Sequence, residues 1–423
     1  MKKRDSLLLT VFLLFFLSLF LDRFITAYTV GMCVLAAAAL AHGSFTEKIQ
    51  LLKRRKYIWF MLAFAAMLVI SFLVSENKGL GMQYLQRRIP LLLFPISIGL
   101  LEISKKSRDK ILLGLAIIVT AMCLCSLGWA FYKFQQEHNS AWLYNDALSY
   151  LVGQQSIYTS VLVNISIYIF VYFLLNYQLS GRHKILFGAG IAFLFIISYL
   201  LASRNMMLIL YATILLFAFY ITFKKKKYWL GASLLSAILI VVILIFAFFP
   251  KTINRFKELA FTQFNYESRA KESHYAGTLT PDQWNGANFR LAAWPCGWQL
   301  FKEHPVAGVG LGDKKDKLVK VYEQKKFQFA ITTGKNVHNN YLDILMSMGV
   351  IGFVLFLLGW ILLPLFQIIR TGDQLGLLIL ITFILAMITE NYFDRSIGAM
   401  LFGFFVPFLL STTNKEIENS PIP

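Results

Sequence analysis

Hydrophobic and polar positions are not interleaved at a helical or strand period along this chain. They come in blocks. Apolar runs cover about 6–21, 24–41, 57–74, 89–101, 110–132, 155–176, 185–202, 205–223, 228–249, 341–369, 375–390 and 395–411, with polar connections between them. A run of about 20 apolar residues crosses a ~30 Å hydrocarbon core as one helix. An outer-membrane barrel would instead alternate apolar and polar residues along each strand. The pattern therefore predicts an all-α polytopic membrane protein with about twelve transmembrane helices. One large extracytoplasmic loop or cap is expected between helices 9 and 10. The fourth and the last two runs are short, so tilt or burial within the bundle is expected for them. The implied division is 1–249 for helices 1–9, 250–337 for a loop domain with helices of its own near 252–273 and 287–303, 338–411 for helices 10–12, and 412–423 for a tail.

Charge orients this arrangement. Counting Lys and Arg in alternate short connections gives 20 on the side of the N-terminus and 7 on the other. Basic residues collect in cytoplasmic loops, so both termini are expected in the cytoplasm and the long loop outside. Only 15% of the 423 residues are charged, 57% are hydrophobic, and the mean hydropathy is +0.62. A soluble domain carries about 25% charged residues, so a soluble enzyme is excluded, as are a disordered chain and a collagen-like fibre. The net charge of +19 reads as topology rather than as nucleic-acid binding. Met1-Lys2-Lys3-Arg4 before an apolar run resembles a signal peptide, but no small-residue cleavage site precedes Asp22-Arg23, so a retained first helix is expected. Cys33, Cys123, Cys125 and Cys296 show no metal-ligand spacing and no disulfide framework.

Basic residues on the outer side run against the topology rule. Arg204 lies in Ala202-Ser203-Arg204-Asn205, a short hinge between two apolar runs. Arg87 and Arg88 precede Ile89-Pro90. Arg290, Trp294 and Trp298 form one stripe at helical spacing. Guanidinium groups bind phosphate through two parallel hydrogen bonds and keep their charge. Several converging at one membrane face would suit a diphosphate, whereas each alone reads equally well as a snorkelling lipid anchor. His338 closes the long loop in Val337-His338-Asn339-Asn340-Tyr341, just before a span. Imidazole titrates near neutrality and serves as a base. The plainer reading makes Asn339 or Asn340 a helix cap and His338 a surface residue. The run Gly308-Val309-Gly310-Leu311-Gly312 after His304-Pro305 lacks a surrounding βαβ unit, so it reads as a turn rather than a dinucleotide site.

Taken together, these pieces resemble the O-antigen ligase family of polytopic ligases and polymerases. The resemblance is carried by Arg290 and Trp294, the His304-Pro305-Val306-Ala307-Gly308-Val309-Gly310 turn, the His338-Asn339 pair and Gly349-Val350-Ile351-Gly352. The Ser203-Arg204 hinge and Glu390-Asn391 add to it. It implies transfer of a glycan from undecaprenyl diphosphate to an acceptor sugar hydroxyl at the periplasmic face of the inner membrane. The acceptor expected first is lipid A–core. An O-antigen or exopolysaccharide polymerase and a protein O-oligosaccharyltransferase are the alternatives. His338 is then expected to be the catalytic base, and Arg204, Arg290 and Arg88 or Arg87 to hold the diphosphate. Asn339, Trp294 and Glu390 are candidate supporting residues. No metal or organic cofactor is implied. Asp146, Asp282, Asp313 and Asp394 look scattered along the outer connections. A lipid-linked glycan transporter is a rival from another class, disfavoured by the lack of midspan charge.

Overall fold

The computed structural model describes residues 3–21, 27–219, 260–273 and 279–413, with scattered positions between 222 and 258. In chain order the helices are α1 (Lys3–Ser18), α2 (Ala27–Ala41), α3 (Phe45–Arg54), α4 (Lys56–Val74), α5 (Lys78–Arg87), α6 (Pro90–Ser97), α7 (Lys105–Glu137), α8 (Ser156–Asn176), α9 (Gly181–Leu200) and α10 (Arg204–Phe219). After the long polar segment begins they continue as α11 (Gly286–Glu303), α12 (Lys314–Gln324), α13 (Gln328–Thr333), α14 (Asn340–Phe356), α15 (Leu363–Thr371), α16 (Gln374–Thr389) and α17 (Ser396–Leu410). Strands β1 (Ile103–Ser104) and β2 (Thr412–Thr413) pair in parallel and tie the end of α17 to the start of α7.

Each apolar run read from the sequence coincides with a helix, except 228–249, which lies largely outside the described residues. Among the described residues, five helical stretches are long and apolar enough to cross a membrane: α4, α7, α8, α9 and the continuous Asn340–Thr371. Counting α2 and α3, bent by 99°, as one broken span brings the number to six. The twelve expected spans are therefore not matched by helix length alone. The difference lies in short apolar helices such as α10, α16 and α17, and in the run 228–249, which lies largely outside the described residues. The 16 residues of α10 rise only about 24 Å.

The bundle packs α7 and α9 on α8, α1 on α2, α6 on α17 and α4 on α14. Its interior is aromatic: Phe12, Phe15, Phe16, Phe94 and Phe404 interlock with ring centroids 5.2–6.5 Å apart. Large apolar side chains such as Ile185, Leu186 and Phe366 point outward, the inverse of a water-soluble surface. A second, smaller core lies in the polar segment. Trp284, Phe289, Tyr322, Phe327 and Phe329 pack together there and reach Val337, Leu342 and Met346. That core joins the segment to α14.

Of the two helices expected in the long segment, 287–303 is realised as α11. The stretch expected at 252–273 is not helical over 261–273. Its backbone carbonyls are taken elsewhere: Asn285 Nδ2 donates to Phe261, Asn288 Nδ2 to Gln263, and the Gln328 amide to Tyr266. The cap of α11 thus competes with a local helix and wins.

The glycine-rich turn at 308–312 has a structural partner. Helix α14 is interrupted at Gly349, which sits at φ 62° and ψ −164°. The break frees backbone groups on both sides, and the turn fills them. The amides of Val350 and Ile351 donate to the carbonyls of Pro305 and Val306, and those of Val309 and Gly310 donate to Met346 and Ser347. A Cβ on Gly308 would lie 2.4 Å from the Met348 nitrogen, and one on Gly349 2.2 Å from the Val306 oxygen. The two glycine motifs quoted from the sequence are two halves of one joint. It is a broken helix whose backbone is satisfied by a docked turn, as non-helical backbone at membrane depth requires.

Candidate active site

His338 precedes α14 and adopts φ 45°, a left-handed conformation uncommon outside glycine. Three contacts hold it there. Its amide donates to Asn336 Oδ1 at 2.9 Å, its ring meets Phe289 edge-on at 5.6 Å, and Trp294 Nε1 donates to the preceding Val337 carbonyl at 3.1 Å. Asn339 is the N-cap of α14, its side chain accepting from the Leu342 amide at 3.0 Å. Trp294 and Asn339 therefore act on the backbone around His338, one holding the strand before it and one the helix after it.

The side chain of His338 faces Glu390, in the turn that follows α16. Nδ1 lies 3.2 Å from Oε2, with the two side chains 25% and 19% exposed. Burial raises the carboxyl's pKa, but His338, Arg290 and Arg395 outweigh it and leave the group below its ordinary value. An ionised Glu390 can only accept. It therefore selects the tautomer with the proton on Nδ1 and leaves the lone pair on Nε2. That is the arrangement of a base oriented by a carboxylate.

Arg290, on α11, lies on the other flank of Glu390. Its Nε donates to the Thr389 carbonyl at 2.8 Å, and its Nη1 to the Gly286 carbonyl. Burial lowers its pKa, with Glu390 and Glu272 offsetting, and a guanidinium stays charged regardless. Arg204 opens α10 two residues after Ala202, which takes a left-handed φ of 50° in the hinge. A Cβ on Gly286 would lie 3.0 Å from Arg290 Nη1 and 3.3 Å from Arg204 Nη2, so the two guanidinium groups meet at this glycine. Carboxylates accompany them. Glu258 lies 3.6 Å from Arg204 Nη1, and Glu272 pairs with Lys335.

Arg87 and Arg88 do not join that pair. Arg88 is fully buried and forms ion pairs with Asp343 at 2.9 Å and Asp394 at 3.2 Å. Lys314 completes the cluster, 2.7 Å from Asp343 and 2.5 Å from Asp394. The expected diphosphate role of Arg88 does not fit this position, because its side chain is wholly buried and held by two carboxylates. Asp394 is likewise not isolated. With Asp343 it answers two cations, and its Oδ2 accepts from Asn336 and Asn391 at 2.9 Å each. Asp313 is absorbed in structure too, receiving the amides of Glu76 and Asn77. Arg87 stacks on Tyr84 and donates to the Asp394 carbonyl at 3.2 Å. It faces cavities rather than lipid.

Lys314 and Asp343 were not singled out in the sequence. Lys314 sits in a run of cations that looks solvated, and only the fold shows that it is buried. Asp343 stands five residues after His338, on the face of α14 turned into the protein, and a buried acid in an apolar helix start was the available signal.

A helical, membrane-type bundle that presents a carboxylate-oriented histidine beside paired arginines is a candidate membrane transferase. The family model described as O-Antigen ligase matches residues 189–357, which supports an O-antigen ligase family for this stretch. That family implies glycosyl transfer of the ligase or polymerase type, on glycan and lipid substrates in a membrane. No curated protein matches the chain. The matched stretch contains Arg204, Arg290, Trp294, His338 and Asn339, whereas Glu390, Arg87, Asp394 and Arg395 lie outside it.

Proposed function

We propose that this chain transfers a glycan from undecaprenyl diphosphate to a sugar hydroxyl of an acceptor, lipid A–core first, at the periplasmic face of the inner membrane. The observation that carries the reading is the His338–Glu390 contact beside the Arg204–Arg290 pair. In the reaction, Nε2 of His338 takes the proton of the acceptor hydroxyl. The oxygen forms a bond to the anomeric carbon of the donor as the bond from that carbon to the diphosphate breaks. Negative charge grows on the departing undecaprenyl diphosphate, where Arg204 and Arg290 stabilise it electrostatically. Glu390 holds the imidazole in its reactive tautomer and stabilises the imidazolium that forms. The residues 250–337 act as a periplasmic cap that brings Arg290 and His338 to the membrane face, with both termini cytoplasmic.

The test is reconstitution in proteoliposomes with lipid-linked glycan and separate acceptors: lipid A–core, a second lipid-linked glycan, or a protein. Transfer to lipid A–core supports the ligase; transfer only to the second lipid-linked glycan makes the chain a polymerase. His338→Ala is expected to lower the rate about 10²–10⁴-fold, the usual worth of one positioned base, while donor binding persists. Wild-type rates from His338→Ala, or movement of donor across the bilayer without any glycosidic bond, would overturn the proposal.

A further inference from the structure

Two cavities are linked to the His338–Glu390 pair through Asn336, which receives the His338 amide, and Arg395, which acts on Glu390. One, of about 310 Å³, is lined by Tyr28, Gln154, Gln155, Tyr158 and Ser396 together with Arg87 and Arg395. The other, of about 230 Å³, is lined by Lys315, Lys335 and Asn336 and again by Arg87 and Arg395. Asp394 borders both. The two arginines thus stand at the divide between the cavities. Neither cavity is lined by Arg204, Arg290 or His338.

Charge separates these cavities from the Arg204–Arg290 pair. Arg204 and Arg290 already face Glu258, Glu272 and Glu390. At the divide the bordering acids are spent inward, because Asp343 and Asp394 are ion-paired with Arg88 and Lys314. Among the described residues, Arg395 and Lys315 make no ion pair or side-chain hydrogen bond, and Arg87 donates only to a backbone carbonyl. Arg395 also lies within electrostatic reach of Glu390, but the lining of both cavities still carries more cations than acids, next to the aromatic and amide side chains of Tyr28, Tyr158, Gln154 and Gln155, a lining that suits a sugar. Cations that line a concave surface in this way bind phosphate oxygens through charge-assisted hydrogen bonds.

We propose that Arg87 and Arg395, with Lys315 at the rim, form a second anion site that binds a phosphate group carried by the acceptor, distinct from the donor's diphosphate site at Arg204 and Arg290. This deepens the proposed glycan transfer and rests on it for the word acceptor; the anion site itself does not. It places the acceptor's phosphate at residues other than those that face the donor's diphosphate. A phosphorylated sugar of lipid A–core and the diphosphate of a second lipid-linked glycan carry the same chemistry, as does a phospholipid headgroup.

The experiment uses the full chain in phosphatidylcholine nanodiscs. Direct binding is measured with glucosamine 6-phosphate as the probe, by saturation-transfer NMR, for wild type, His338→Ala, Arg204→Ala and the double variant Arg87→Gln/Arg395→Gln. Binding is expected in all but the last. Steady-state transfer is then measured to lipid A–core before and after phosphatase treatment, and to a second lipid-linked glycan. For the acceptor that is used, Arg87→Gln/Arg395→Gln should raise its KM by about tenfold or more, as loss of a charge-assisted contact does, with little change in kcat or donor KM. Phosphatase treatment should raise KM similarly in wild type and add nothing in the double variant. If the double variant binds the probe normally, or raises the donor's KM instead, the second site is refuted. Equal loss of probe binding on substituting phosphatidylglycerol assigns the site to a lipid headgroup and also refutes it. If no acceptor is used but the probe binds as expected, it is the transfer reading that fails. Arg395 is exposed and makes no ion pair, so its substitution leaves folding intact, and Arg395→Gln alone repeats the measurement where the double variant expresses poorly.

Discussion

Replacing Glu390 by Gln tests the site at its least conspicuous member. The amide keeps the size of the side chain and an oxygen that can still accept from Nδ1 of His338 at 3.2 Å. What it removes is the charge. A hydrogen bond to a charged partner contributes about 1.5–3 kcal/mol, which corresponds to roughly 10- to 150-fold in rate if it is lost only as the imidazolium forms. The two side chains are 19% and 25% exposed, so water screens part of the interaction and the lower half of that range is expected. The assay is transfer of radiolabelled glycan in proteoliposomes, at saturating acceptor, with kcat and donor KM measured for Glu390→Gln, His338→Ala and the double variant. Glu390→Gln should lower kcat and leave donor KM near wild type. Added to His338→Ala it should cost almost nothing more, because residues that act as a unit are not additive. Wild-type kcat in Glu390→Gln, or full additivity in the double variant, would refute the idea that the carboxylate works through the histidine. The pH dependence has a definite sign. The carboxyl's folded pKa is depressed, so its contribution to stability is complete above the unfolded value of about 4.3 and is lost as the pH falls through the lower folded value. Thermal unfolding of Glu390→Gln should therefore lose less stability than wild type below about pH 4.3.

Reporter fusions after Lys227 and at Asp282 are expected to read cytoplasmic and extracytoplasmic respectively; the same side for both would remove the proposed placement of the site. Arg290→Lys retains a charge but cannot keep both Nε–Thr389 and Nη1–Gly286 contacts, so donor KM should rise about tenfold or more, and an unchanged KM would make Arg290 a backbone strut only. Gly308→Ala should lower thermal stability by about 1–3 kcal/mol through overpacking against α14. Gly128→Ala, which meets nothing within 4 Å, should be neutral or slightly stabilising in the same unfolding measurement.

Helix positions were readable from the sequence because apolar blocks report burial in lipid or protein directly. The same blocks say little about crossing, since α1, α2 and α10 are apolar yet short. The helix α11 was legible from its apolar stripe, whereas 261–273 was misread because side-chain capping by Asn285 and Asn288 has no periodic signature. In the site, His338, Glu390, Arg204, Arg290 and Trp294 could be picked out, and the structure brings them together. Their pairing could not be read, since 52 residues separate His338 from Glu390. Arg87 and Arg88 are adjacent in sequence and looked equivalent. One step along a helix end sends them to different environments, one into an ion cluster and the other to the rim of two cavities.

The buried cluster explains why those environments matter. Arg88, Lys314, Asp343 and Asp394 come from the end of α5, from α12, from α14 and from the turn before α17. Two cations and two carboxylates sum to zero, which is what allows the group to be buried at all. Such a cluster adds little net stability compared with an apolar core, but removing one member strands a buried charge at a cost of about 3–5 kcal/mol. Its effect is therefore on register. Asp394 spends Oδ1 on the cations and Oδ2 on Asn336 and Asn391, and Asn336 in turn receives the His338 amide. Asp394 also lies four residues after Glu390, in the same turn. One carboxylate thus fixes both sides of the His338–Glu390 contact: the left-handed backbone of the histidine through Asn336, and the position of the glutamate through its own turn. The cations that look alike in the sequence divide into those that build this frame, Arg88 and Lys314, and those that lie outside it.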